Sequence, residues 1–292
     1  MSKYILFLVT LLLFTSCQRL DDNLFNPDTS ITEYKMDKFD GEVDFILNES
    51  YTINQNLIHQ FTLGVEGSKI YAIYIGDLAK IATDTVIMYC HGNKWHMDFY
   101  WQRAKLLANT GFKNKFGVLM IDYKGYGLSQ GKATEQALYE DTNTALNWLK
   151  EQGLTSERLV MYGFSLGSAP AINLSANPMA LKPSKLIVEA PFASSAVMVQ
   201  DATQLAMPAS YFVNIKINNA EEIKKVEQSF MWIHGIQDDF LSIKSHGELV
   251  FNNYSGSYSE AHRIEGANHG DVPLIWGFES YTNAINAFIE KK

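Results

Sequence analysis

Around residue 163 the chain passes from a strand-like pattern to a helix-like one within five residues, and that junction limits what the whole can become. Leu159, Val160, Met161 and Tyr162 form an apolar, β-rich run. Gly163-Phe164-Ser165-Leu166-Gly167 follows, and then a small-residue segment through Ala169-Pro170-Ala171-Ile172 with helical character. This is G-x-S-x-G in the strand–turn–helix setting in which the motif has chemical meaning. A serine nucleophile has to stand clear of the sheet on a sharp turn. Glycines at 163 and 167 carry no Cβ, so strand and helix can close around the strained residue. The helix that follows aims its first N–H groups back at the turn, where the Leu166 N–H can hold a developing oxyanion. Ser165 is therefore the candidate nucleophile.

The rest of the chain repeats the strand–helix alternation. A hairpin over 57–75 is followed by apolar strands at 85–90, 116–121, 159–162, 185–189 and 229–233, and by a short last strand from 262. Helical periodicity fills 99–108, 134–152, 247–252 and 281–289, with Gly111 and Gly153 as stops. Such alternation predicts an α/β fold, a mostly parallel sheet covered on both faces. Residues 192–228 break the rhythm with small apolar residues, aromatics and a proline. They suffice for one or two short helices beside a pocket, a minimal lid rather than a domain.

Composition excludes several classes. With 47% hydrophobic and 19% charged residues the chain is a folding one, and 292 residues are ample for a sizeable core. A net charge of −8 without a Lys/Arg cluster argues against nucleic acid or an anionic bilayer as an electrostatic partner. No H-E-x-x-H, C-x-x-C or internal repeat is present, so the reading calls for no metal and no cofactor.

The N-terminus has a basic start at Lys3, an apolar core over 4–14, and then Thr15-Ser16-Cys17. It resembles a bacterial lipoprotein signal, which implies cleavage after residue 16, lipidation of Cys17, and a membrane-anchored place in the cell envelope, on the periplasmic side or at the cell surface. Phe14 departs from the aliphatic residue usual there, and an ordinary signal peptide or N-terminal anchor is the alternative. Residues 17–40 are polar and read as a tether, although Leu24, Phe25 and Tyr34 are also able to dock on the domain. Cys90, at the end of an apolar strand, reads as a small core residue.

Five blocks now stand in order: His91-Gly92-Asn93, Asp122-Tyr123-Lys124-Gly125-Tyr126-Gly127, the serine turn, His234-Gly235-Ile236-Gln237-Asp238-Asp239, and Gly266-Ala267-Asn268-His269-Gly270. Together, over residues 41–292, they resemble the α/β-hydrolase fold, with a sheet of about eight strands. The nearest likeness is to its small-lid serine hydrolases, which include membrane-associated depalmitoylases and monoacylglycerol-lipase-like enzymes. In that fold the triad order is serine, acid, histidine. The family pattern His-Gly-x-x-Asp places the acid at Asp238, with Asp239 as an N-cap for the segment from Phe240. The two are exchangeable on sequence alone, and Glu189 is a rival on the preceding strand. His269, in a glycine-rich loop after the last strand, is the candidate base. Asn93, in the loop after the first buried strand, is the second oxyanion donor through its N–H. His91 reads as a shaper of that loop, and His59, His96, His234, His246 and His262 read as turn or surface residues. Asp122 reads as a turn cap, Tyr126 as a possible pocket liner, and Trp95 as packing or a wall of the acyl site.

The resemblance implies a serine hydrolase of a carboxylic ester or thioester, working through an acyl-enzyme, on a small or lipid-like substrate and as a monomer. A serine peptidase, or a non-catalytic ligand-binding lipoprotein on the same fold, are the competing expectations.

Overall fold

Strands that are apolar at every position need cover on both sides. The computed structural model describes residues 24–111, 115–203 and 215–291 and supplies that cover with two helical layers around one large sheet. In chain order the strands are β1 (Asn26–Pro27), β2 (Ile58–Val65), β3 (Ser68–Ile75), β4 (Val86–Cys90), β5 (Lys94–Trp95), β6 (Gly117–Ile121), β7 (Leu159–Phe164), β8 (Lys185–Glu189), β9 (Ser229–Gly235) and β10 (Ser259–Ile264). The helices are α1 (Met97–Ala108), α2 (Glu135–Glu151), α3 (Ser168–Ala176), α4 (Ser195–Thr203), α5 (Asn219–Glu222), α6 (Gly247–Asn253), α7 (Val272–Trp276) and α8 (Phe278–Glu290).

Eight strands form the main sheet in the order β10-β9-β8-β7-β4-β6-β3-β2. All neighbours run parallel except β3, which is antiparallel to both β2 and β6. This is the α/β-hydrolase fold. The β2–β3 turn is tighter than the four residues Gly64–Gly67 that the sequence suggests for it. Gly64 and Val65 pair within the ladder, and only Glu66 and Gly67 turn, both with positive φ, as a two-residue hairpin linkage requires.

Alternation along each strand divides the core in two. Val86, Met88 and Cys90 face the layer holding α2, α3 and α6; Ile87 and Tyr89 face the layer holding α1 and α8. The stripe Leu138, Ala145, Leu146 and Leu149 gives α2 its buried face, and Thr134 caps it by accepting from the Ala137 N–H at 3.0 Å. The parallel arrangement brings the carboxyl ends of β4, β7, β9 and β10 to one rim, where crevices in such sheets form.

The stretch read as a tether is corrected from residue 24 onward. Phe25 packs against one core layer, Met36 is buried in the other, and β1 pairs in parallel with β5 to make a second, two-stranded sheet. What docks it is chiefly backbone: the Lys35 and Met36 N–H groups donate to the buried Asp98 carboxylate at 2.8 and 2.7 Å. Residues 1–23, which hold the expected signal peptide and the expected lipidation site at Cys17, lie outside the described residues. Within the 192–228 insertion, α4 and α5 are described and 204–214 are not. Helix α4 is fastened to the domain by Asp201, which accepts from Ser245 Oγ at 2.7 Å and lies 3.3 Å from His246 Nε2.

Candidate active site

Ser165 opens the turn between β7 and α3 with φ +50°, in the left-handed region that a non-glycine residue rarely occupies. The two motif glycines explain how the turn is tolerated. A Cβ on Gly163 would stand 2.5 Å from the Gly167 carbonyl oxygen, and one on Gly167 would stand 1.9 Å from the Cys90 carbonyl oxygen. Both positions therefore exclude any side chain. Ser168 Oγ donates to the Ser165 carbonyl at 2.6 Å and helps hold the strained residue.

Three separate loops meet at this serine. Ser165 Oγ lies 2.9 Å from His269 Nε2, and His269 Nδ1 lies 2.8 Å from Asp238 Oδ2. With Nδ1–H donating to the carboxylate, Nε2 is left to accept the serine proton. The imidazole is flanked by the Phe164 and Phe240 rings, 5.3 and 5.1 Å away between centroids. Asn268 joins the two loops: its Oδ1 accepts from the His269 N–H at 2.7 Å and from the Asp239 N–H at 3.1 Å.

The structure separates the three candidate acids. Asp238 is buried and uses both oxygens. Oδ2 faces His269 and His234, and Oδ1 accepts from the Leu241 and Phe240 N–H groups at 2.7 and 3.0 Å. Burial acts to raise its pKa, but the hydrogen bonds from His234 and His269 outweigh that and hold the carboxyl well below the usual range. Asp239 is exposed and caps no helix, since none begins at Phe240; the Phe240 and Leu241 N–H groups go to Asp238 instead. Glu189 is buried away from His269, paired with Arg103 Nη1 at 2.6 Å and accepting from Tyr162 and Tyr281.

His234 and His246, read as turn or surface residues, are wholly buried, as is His96 at the N-cap of α1. His234 is the one that matters to the site. Its Nε2 has two acceptors, Asp238 Oδ2 at 3.1 Å and the Leu241 carbonyl at 3.0 Å, so the proton sits there. Its Nδ1 accepts from the Trp232 indole N–H at 3.3 Å. The first residue of His-Gly-x-x-Asp is thus a fixed donor behind the acid, and its place in that motif was the available signal.

Asn93 and Ser165 line a common cavity of about 370 Å³, walled by Phe99, Tyr100, Phe164 and Phe240, with Asp44 and Lys94 as its charged residues. Leu166 follows Ser165 in the turn with its side chain buried. Tyr126 does not line this cavity. It is buried and donates to Asn93 Oδ1 at 2.6 Å. Trp95 belongs to a second cavity with Asp28, His96 and Asp98. His91 Nδ1 lies 2.8 Å from the Gly92 carbonyl and Nε2 lies 3.1 Å from Asp122 Oδ1, so Asp122 braces the loop instead of capping a turn. Among the described residues no cluster of His, Cys, Asp and Glu is arranged to hold a metal ion.

Comparison with known proteins agrees with the architecture. The chain is 28% identical over 205 residues to the α/β-hydrolase domain-containing protein aho-3 of Caenorhabditis elegans, covering 70% of this chain and 57% of that one. It is 27% identical over 207 residues to the α/β-hydrolase domain-containing protein 17B of Homo sapiens, covering 70% of this chain and 66% of the relative. The chain thus spans less than two thirds of the length of either. Among solved structures it superposes on the Pyrococcus furiosus esterase Pf2001 with a TM-score of 0.66 at 14% identity, over 91% of this chain and 98% of the other. It also superposes on the ferulic-acid complex of Est1E from Butyrivibrio proteoclasticus with a TM-score of 0.61 at 16% identity, over 78% and 97%. A family model described as serine aminopeptidase, S33, matches residues 82–245, more than half of the chain, and the chain belongs to that family within the α/β-hydrolase superfamily.

Proposed function

We propose that the protein is a serine hydrolase that cleaves a carboxylic ester or thioester through an acyl-enzyme. The observation that carries this reading is the unbroken hydrogen-bond chain from Ser165 Oγ through His269 to Asp238, ending on a nucleophile held at positive φ. In the proposed reaction His269 Nε2 takes the hydroxyl proton as Ser165 attacks the acyl carbon. Asp238 steadies the imidazolium that forms, and the N–H groups of Leu166 and Asn93 take the oxyanion. His269 then passes the proton to the leaving alcohol or thiol, and water releases the acyl group by the same route in reverse. The aromatic cavity suits an apolar acyl chain. The superposed Pyrococcus furiosus protein named as an esterase supports the ester reading by analogy of fold.

Ser165→Ala should abolish labelling by a fluorophosphonate probe and hydrolysis of p-nitrophenyl esters while leaving the melting temperature near that of the parent. Turnover by a folded Ser165→Ala protein would overturn the mechanism. A second reading, an aminopeptidase, is favoured by the family description and by Asp44, a carboxylate on the cavity wall able to receive a substrate ammonium. Side-by-side turnover of p-nitrophenyl esters and aminoacyl p-nitroanilides decides between the two.

The N-terminal reading, a lipid on Cys17 that anchors the protein in the cell envelope, is proposed on residues 1–17. Mass spectrometry of the native protein should find a terminus at a diacylglyceryl-modified Cys17, and Cys17→Ser should release the protein from the membrane fraction. An intact Met1 terminus contradicts it.

A further inference from the structure

Residues 24–36 reach a part of the site that the reaction itself depends on. Asn93, which carries the second oxyanion N–H in the proposed function, has its side chain held from both ends by this segment. Asn93 Nδ2 donates to the Leu24 carbonyl at 2.7 Å, and Asn93 Oδ1 accepts from the Asn26 N–H at 2.9 Å. One residue further, β1 runs parallel to β5, and the Asp28 N–H donates to the Trp95 carbonyl at 3.2 Å. Trp95 is itself at φ +59° and 36% exposed, so core packing does little to secure it. A left-handed non-glycine residue persists only where its surroundings over-determine it, and here the surroundings are the segment.

The same segment grips the far ends of the 91–98 loop. Tyr34 donates to Asp122 Oδ2 at 2.6 Å, and Asp122 Oδ1 faces His91 at 3.1 Å. Asp98, in the first turn of α1, receives the Lys35 and Met36 N–H groups. Asn26 also lines the cavity that holds Ser165.

We propose that residues 24–28 are a positioning strap for the oxyanion loop, acting through the side chain of Asn93 to hold its N–H where the oxyanion develops. The inference rests on the serine hydrolase reading and extends it to a segment outside the family match at 82–245. Transition-state stabilisation depends on donors that are already in place, so loosening the strap affects the chemical step more than ground-state binding.

Two substitutions test it. Asn26→Pro removes the N–H that Asn93 Oδ1 accepts, and Asn93→Ala removes the gripped side chain while keeping the Asn93 N–H. With the full chain and p-nitrophenyl butyrate, each should lower kcat by about tenfold or more while KM changes less than twofold. The double variant should be no worse than Asn93→Ala alone, because Asn26→Pro acts through the side chain that this variant already lacks. Should Asn26→Pro fail to fold, as judged by its melting transition, the kcat-against-KM split of Asn93→Ala is read against that of Tyr126→Phe, which removes the other donor to Asn93 Oδ1 and leaves the strap in place, and a kcat loss in Asn93→Ala no greater than in Tyr126→Phe overturns the strap. A folded Asn93→Ala protein with parental kcat overturns the strap, as do effects that multiply in the double variant. If the parent itself neither turns over esters nor takes a fluorophosphonate label, the serine hydrolase reading falls and the strap with it. An active parent with indifferent variants removes the strap alone.

Discussion

Asp238 makes four hydrogen bonds with two oxygens, and that division decides what its replacement does. Asparagine keeps one oxygen for the Leu241 and Phe240 N–H groups but turns an amide toward two histidines that also donate. The imidazole of His269 then loses its orienting acceptor. Asp238→Asn should lower kcat by about 10⁴-fold, whereas exposed Asp239→Asn should stay within about twofold of the parent. Stability responds with a definite sign. The lowered folded pKa of Asp238 contributes stability above the ordinary carboxylate value of about 4, and that contribution fades as pH falls through the lower folded value. The difference in melting temperature between parent and Asp238→Asn should therefore narrow on acidification, and a gap that widens below pH 4 would speak against it. Ser165, Asp238 and His269 were readable as candidates because each sits in a short local motif at a strand's carboxyl end. His234 was passed over although it opens the His-Gly-x-x-Asp block, because its burial and its role as a donor show only once β9 and its loop are folded against each other.

Helix α1 places a buried guanidinium beneath the site. Arg103 is 2% exposed, pairs with Glu189 at 2.6 Å, stacks 4.2 Å over the Phe164 ring, and donates to the Gly270 carbonyl at 2.8 Å. Burial works against the guanidinium's charge, but the Glu189 carboxylate beside it holds it firmly ionised. Removing one partner of such a pair leaves a lone buried charge, so Arg103→Leu should cost about 3–5 kcal/mol. Arg103→Leu/Glu189→Leu should recover part of that loss, and a double variant less stable than Arg103→Leu would refute the pairing as the cause. Elements with regular apolar periodicity, such as α2, β4 and β6 to β9, were legible from the chain to within a residue or two, whereas the two-residue β5 was not. The segment from 24 to 40 was not. Its composition is that of a linker; Phe25 and Tyr34, named as able to dock, do so, but the backbone groups of Lys35 and Met36 that complete the docking are carried alike by every sequence.

At the scale of the molecule the two helical layers seal the sheet between them, and Cys90 shows how completely. Its thiol is wholly buried at the carboxyl end of β4, and burial pushes its pKa up to about 12. At pH 8 only about one thiol in 10⁴ is ionised, so Cys90 should resist iodoacetamide in the native state and react on unfolding. Carbamidomethylation read by mass spectrometry on the Cys90 peptide, with and without denaturant, checks this. The docked N-terminal segment gives the molecule a further property, a polarity. Asn26 stands at the rim of the Ser165 cavity, by the carboxyl ends of the strands. Lys291 is held near their amino ends, where its carbonyl accepts from Lys185 Nζ at 2.6 Å. The two ends of the described chain thus leave from opposite poles. A cargo or tag fused at the C-terminus therefore stands at the pole away from the Ser165 cavity and should leave its entrance clear, whereas one inserted at Asn26 would stand in the doorway.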